Sequence, residues 1–238
     1  MDASFLTANV QTHLVYLATT SDVKFDQYRE IFRNLGVELR RATVIESITE
    51  PQLDERGEQL LVGQPLRQAA RFVEKNQQIP YMIEDTILVI DALSQENAGA
   101  SGLPGADTKN WWRNLGAGGV LRLLAGVTNR RATFTCQLGI YLGKGKYRFA
   151  RADLKGTISQ SIRISARSEE EYPMSNPYYF HAIFEPNGSD KTLGELDGAA
   201  FAKVDYRRQC AAHMFDQLCD IDWLSHRQLD LPYLEPEA

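Results

Sequence analysis

One apolar run and the stripe behind it constrain this chain more than any other feature. His13–Thr19 reads HLVYLAT, an apolar run of strand length that closes in small polar residues. Asp22–Leu35 follows at once, with Val23, Phe25, Tyr28, Ile31, Phe32 and Leu35 on one helical stripe and Gly36 ending it. A strand, a short polar loop and a helix predict an α/β fold. The loop then lies at the C-terminal edge of the strand, where such folds bind ligands.

The rest of the chain extends this pattern without internal repeats. Leu60–Lys75 is predicted as a second helix, interrupted by Pro65 unless the helix begins there. Tyr81–Ile83 and Ile87–Leu93 are apolar runs on either side of Glu84-Asp85-Thr86, which places the two acids at a strand end or tight turn. Lys109–Leu124 is helical, with glycines that divide it. Ala132–Leu142 alternates as a strand, Gly143–Gly145 forms a hairpin turn and Tyr147–Ile158 is the returning partner. The polar stretch 159–176 reads as a surface insertion, and Ala199–Leu218 as one final helix. Residues 1–229 are therefore expected to form one domain, with 230–238 an extended arm.

Composition excludes several classes. A hydrophobic fraction of 43% and a charged fraction of 24% are those of a globular chain. No apolar stretch is long enough for a membrane span, and residues 1–12 lack a signal-peptide pattern, so a cytoplasmic location is expected. The formal net charge of -5 argues against a nucleic-acid partner, yet leaves room for a local cluster that holds a small anion. Cys136, Cys210 and Cys219 have neither disulfide-framework nor zinc spacing and are expected to be reduced and buried.

The chemistry-bearing residues fall into two groups. Glu84 and Asp85, flanked by apolar runs, need a cation or donors to offset burial, and magnesium suits such oxygens when phosphates complete its shell. Glu50 is a further candidate. The alternative is a solvated turn with one capping carboxylate. Lys24, Lys109, Lys191 and Arg207 lie near loops or helix starts, where phosphates bind; for each, a solvated surface charge is the alternative. His181 and His213 are either general bases or structural. Gly102-Leu103-Pro104-Gly105 is a turn and not a phosphate loop.

These segments, in this order, resemble the inosine triphosphate pyrophosphatase family over nearly the whole chain. Ala18-Thr19-Thr20-Ser21-Asp22-Val23-Lys24 is similar to its first loop, Glu50-Pro51-Gln52 to its E-x-Q element, and Ile83-Glu84-Asp85-Thr86 to its acidic segment. Gly102–Gly105 through Lys109-Asn110-Trp111-Trp112 resembles the G-L-P-G…K segment. Ile183-Phe184-Glu185-Pro186-Asn187-Gly188, with Lys191-Thr192 and Glu195-Leu196, resembles the F-x-P-(D/E)-G…T-x-x-E element. The resemblance implies an elongated two-lobed α/β fold with a central mixed sheet and a nucleotide cleft between lobes. It further implies a homodimer and a purine nucleoside triphosphate bound with magnesium. Asp85 and Glu84 would be catalytic; Glu50, Glu84 and Asp85 would hold the metal. Lys24, Lys109, Ser21 and Thr20 would hold phosphates. Tyr178, Tyr179, Phe180, His181, Tyr206 and Arg207 would line the base.

The chain departs from the family pattern at Thr20, Ser21, Pro65, His181 and Asp205-Tyr206, while Ser225-His226-Arg227 spells a family tripeptide too far downstream. These departures imply a sensor of dITP- or ITP-type nucleotides with weak or lost hydrolysis. It would serve antiviral defence beside a sirtuin-like, NAD-degrading effector. The alternatives are an active house-cleaning pyrophosphatase that yields monophosphate and pyrophosphate, and a scaffold with an empty cleft.

Overall fold

A computed structural model describes residues 13–19, 21–42, 80–94, 102–105, 108–165, 179–221 and 223. Thr20, Glu50, Tyr178, the expected helix at 60–75 with Pro65, and the arm from 230 lie outside the described residues.

The predicted opening is present. Strand β1, His13–Ala18, leads into helix α1, Asp22–Arg33, and strand β2, Val37–Arg41. The Ser21 hydroxyl caps α1 by accepting from the Lys24 amide at 3.3 Å. Strand β3 is Tyr81–Ile90, followed by a short helix α2, Asp91–Ser94, strand β4, Pro104–Gly105, and helix α3, Thr108–Leu123. Gly116 in α3 takes φ 58° and ψ -176°, a conformation open to glycine, so α3 is divided as the sequence predicts. The hairpin of β5, Arg131–Tyr141, and β6, Tyr147–Ile158, also matches. A 3-10 turn at Phe180–Ala182 precedes strand β7, Phe184–Pro186, and helices α4, Gly198–Val204, and α5, Tyr206–Cys219, follow.

Two expectations are corrected. Glu84 and Asp85 do not sit at a strand end or turn: β3 runs through them without a break, in unslipped antiparallel register with β5 from Tyr81↔Tyr141 to Ile90↔Ala132. The final helix is two helices, because Asp205 leaves helical geometry (φ -67°, ψ 97°) and its carboxylate caps α5 through the amides of Arg207 and Arg208. The start of the polar stretch is also tied to the body. Ser159 is buried and its amide donates to the Ile183 carbonyl at 2.8 Å, while the Arg163 side chain pairs with Glu185 and Glu195.

Among the described residues the mixed sheet has seven strands in the order β2-β1-β3-β5-β6-β7, with β4 on β3. One face carries the main core, in which Leu17, Met82, Leu88, Cys136, Leu138 and Ala152 meet Tyr28 and Phe32 of α1 and Met214, Phe215 and Leu218 of α5. The other carries a smaller cluster around Tyr81, Ile83 and Tyr141. All three cysteines are buried and unpaired by disulfides. The outer border of β6 is also covered. Beyond the short stretch paired with β7, the Phe149 and Arg151 carbonyls accept from Gln217 and His213 of α5, each at 2.8 Å. Among the described residues no helix is long and apolar enough to cross a membrane.

Candidate active site

Among the described residues, the topology leaves a notch in the sheet. Along one edge, among the described residues, β3 pairs with β1 through Tyr81–Ile83 and with β4 at Leu88 and Val89. Glu84–Ile87 lies between the two. The N-terminus of α1 abuts the near end of the notch, since β1 stops opposite Ile83. The N-terminus of α3 abuts the far end: the Thr108 hydroxyl accepts from the Leu88 amide at 3.1 Å and donates to the Gly105 carbonyl at 2.5 Å. Two helix N-termini, with Lys24 and Lys109 in their first turns, thus flank one strand edge. Such ends favour anions through exposed amides and the helix dipole.

Successive strand residues face opposite sides of a sheet. Glu84 points to the helix face. Its side chain is 2% exposed, with Oε2 2.7 Å from Lys24 Nζ and Oε1 3.3 Å from Arg207 Nε. The Thr86 hydroxyl donates to Oε1, as does the Cys136 thiol at 3.5 Å. Burial alone would raise the Glu84 pKa. The charges of Lys24 and Arg207, with hydrogen bonds from Lys24 and Thr86, outweigh it and hold the pKa down at about 2. Asp85 is half-buried on the other face, in register with Gln137, and its Oδ1 accepts from the Thr86 amide at 2.9 Å.

Two oxygens bound to one magnesium ion lie within about 4 Å of each other, given metal–oxygen distances of 2.0–2.1 Å. Side chains leaving opposite faces of a strand diverge beyond that reach. Glu84 and Asp85 thus leave opposite faces of β3, and Glu50, the third member of the expected trio, lies outside the described residues. Asp85 fits as a ligand where phosphates supply other oxygens. Among the described residues, no three His, Cys, Asp or Glu side chains converge as a metal site.

The base-end residues divide by exposure. Tyr179 is 44% exposed. Phe180 is buried against Trp112 (ring centroids 4.2 Å apart), Trp111 and Phe134. His181 and Tyr206 are buried too, joined by a 3.2 Å hydrogen bond, and burial, aided by Arg207, lowers the His181 pKa to about 3. A buried ring already packed on its faces offers none of them to a base, so Phe180, His181 and Tyr206 are placed as support and not as lining. Lys191 is exposed near β7, and His213 is spent on the β6 border.

Three contributors were missed from sequence. Gln27 donates to Asp205 at 2.8 Å and accepts from Arg207 Nη1 at 3.2 Å, binding α1 to α5. It lies three residues after Lys24, on the same helix face, and helical spacing could have found it. Thr86 and Cys136 face each other across β3 and β5, which only the strand register reveals.

Fold and site define an α/β protein with a mixed sheet, whose polar notch at a strand's C-terminal edge is flanked by helix N-termini. The chain belongs to the Ham1 family, whose model matches residues 15–217, and this is the family of the sequence resemblance. It is 30% identical over 179 residues to a dITP/XTP pyrophosphatase of Korarchaeum cryptofilum (strain OPF8), covering 75% of this chain and 82% of that protein. It is 31% identical over 163 residues to a dITP/XTP pyrophosphatase of Pyrobaculum aerophilum, covering 68% and 74%. A HAM1 protein from Coxiella burnetii has the same fold, with TM-score 0.59 and 18% identity over 89% of this chain and 99% of that one.

Proposed function

We propose that this chain is an active nucleoside triphosphate pyrophosphatase that converts dITP- and XTP-type nucleotides to monophosphate and pyrophosphate. The observation that carries the reading is the notch, where two lysine-bearing helix N-termini flank a strand edge containing Asp85. Family membership and relatives named dITP/XTP pyrophosphatase support it. They favour the enzyme over the nucleotide sensor with lost hydrolysis.

In this reading the helix ends, Lys24 and Lys109 bind the triphosphate and offset its charge. A divalent ion held by Asp85, with Glu50 as the further ligand the resemblance supplies, would lower the charge barrier at phosphorus. Asp85 orients a water and takes its proton as the water oxygen bonds to the α-phosphorus. The bond from that phosphorus to the bridging oxygen breaks, and pyrophosphate leaves. Tyr179, the exposed aromatic, stacks on the purine.

The test incubates purified protein with magnesium and dITP, XTP, dATP or dGTP, and measures pyrophosphate release and binding separately. The expected result is release from dITP and XTP well above the other two, lost by a hundredfold or more in Asp85→Asn, on the scale of a removed general base. Tight binding of dITP with no release would return the chain to the sensor reading, and no binding of any triphosphate to the scaffold.

A further inference from the structure

We infer that Glu84 is a positioning residue, which anchors the Lys24 ammonium and the Arg207 guanidinium at the notch, and is not a ligand of the divalent ion. Only the kinetic part of the test below rests on the pyrophosphatase reading.

An ionised carboxylate offers about four acceptor sites. Three donors converge on Glu84 Oε1, namely Arg207 Nε at 3.3 Å, the Thr86 hydroxyl and the Cys136 thiol at 3.5 Å, while Oε2 faces the Lys24 ammonium at 2.7 Å. The Tyr28 hydroxyl lies 3.4 Å from the Cys136 sulfur and closes the network from beneath. A metal ion at Oε2 would have to sit against the Lys24 ammonium, 2.7 Å from that oxygen, and Oε1 is already filled. Charge opposes it as well, because one buried anion already faces two cations, and a divalent ion would enter a cluster that is net positive. Strand alternation adds that Asp85 leaves by the other face, so an ion held by Asp85 is out of reach of Glu84.

The same contacts give Glu84 its role. Lys24 is the flexible member, with its side chain 25% exposed, and the Glu84 carboxylate fixes where its charge sits. Arg207 is spent on Glu84 and Gln27. It thereby ties α5 to β3 and α1 beneath the notch. The lysine is held in place before a phosphate arrives, which spares it the entropy of ordering on binding.

The experiment titrates the full chain with Mn2+ alone, followed by electron paramagnetic resonance, for wild type, Glu84→Gln, Asp85→Asn and Lys24→Met. Glu84→Gln is expected to keep the Mn2+ affinity within about twofold, and Asp85→Asn to weaken it about tenfold or more. In turnover, Glu84→Gln is expected to raise KM for dITP about tenfold at little cost in kcat, because it loosens a charge that binds ground and transition states alike. The double variant Lys24→Met/Glu84→Gln is expected to be no worse than Lys24→Met. Loss of Mn2+ affinity in Glu84→Gln equal to that in Asp85→Asn would overturn the inference, as would additive KM effects. Should Glu84→Gln fail to fold, Lys24→Met decides: unchanged Mn2+ affinity supports the anchor, while a several-fold tightening exposes Glu84 as a ligand freed of its competitor. A wild type that releases no pyrophosphate would sink only the activity reading. The Mn2+ titration and the Lys24/Glu84 cycle of thermal stability would still judge Glu84, with additive stabilities counting against it.

Discussion

His181 shows how one side chain carries a pH dependence through the whole protein. It is buried among Phe134, Phe201 and Tyr206, hydrogen-bonded to the Tyr206 hydroxyl, with the Arg207 charge nearby. Its folded pKa is about 3, against 6.5 in the unfolded chain. Between those values the unfolded protein takes up a proton that the folded protein refuses. Its contribution to stability is therefore full above pH 6.5 and falls as the pH drops towards 3. At pH 5 the loss is about 2 kcal/mol. His181→Gln should remove this slope. Urea unfolding at pH 7.5 and 5.0 would check it, and an equal drop in variant and wild type would show that His181 is not the source. The sequence alone leaves His181 either a general base or a structural histidine. Only the rings around it decide for the second, and these come from segments far apart in the chain.

At the scale of elements, the sequence was readable wherever a period was clean. The β5–β6 hairpin alternates and has glycines at its turn, so its limits were legible to within a residue or two. The opening strand and helix were legible for the same reason. The final helix was misread because Ala199–Leu218 keeps its apolar spacing across Asp205, and the break comes from a cap rather than from glycine or proline. Asp205 holds the first amides of α5 and accepts from Gln27 on α1. Burial raises its pKa, against the Gln27 hydrogen bond and the Arg207 charge. Asp205→Ala should cost about 2 kcal/mol, from a lost cap and a lost buried partner. For a chain of this size that is a fall in melting temperature of about 4–8 °C, measurable by calorimetry. A fall below one degree would mean that α5 needs no cap. β3 was misread for the opposite reason: two charges in its middle look like a turn, and the compensating cations arrive from α1 and α5.

For the whole molecule, the informative contacts are those that span the chain. Gln27 and Asp205 are separated by 178 positions, and Gln27 and Arg207 by 180, yet they meet under the sheet. No local pattern in the sequence announces that meeting. The order of segments gave the fold class, but the polar network at the notch needed the three-dimensional closure. Gln27→Leu should therefore lower global stability by about 1–2 kcal/mol, since it removes one hydrogen bond from each of two buried partners. Far- and near-ultraviolet circular dichroism should lose signal together, because the tie joins α1 to α5. Separate transitions would mean that the two halves unfold independently.

The covered border of β6 bears on how copies of this chain meet one another. An open strand edge is a template for a foreign strand and a starting point for fibrils. Here the outward carbonyls of Phe149 and Arg151 are taken by Gln217 and His213, and the end of the strand is taken by β7. Sheet-to-sheet growth along this border first has to strip two side chains from their acceptors. Crowded solutions should therefore meet a barrier to aggregation here that needs neither proline nor a bulge. Replacing Gln217 and His213 together with alanine would open the edge without touching the notch.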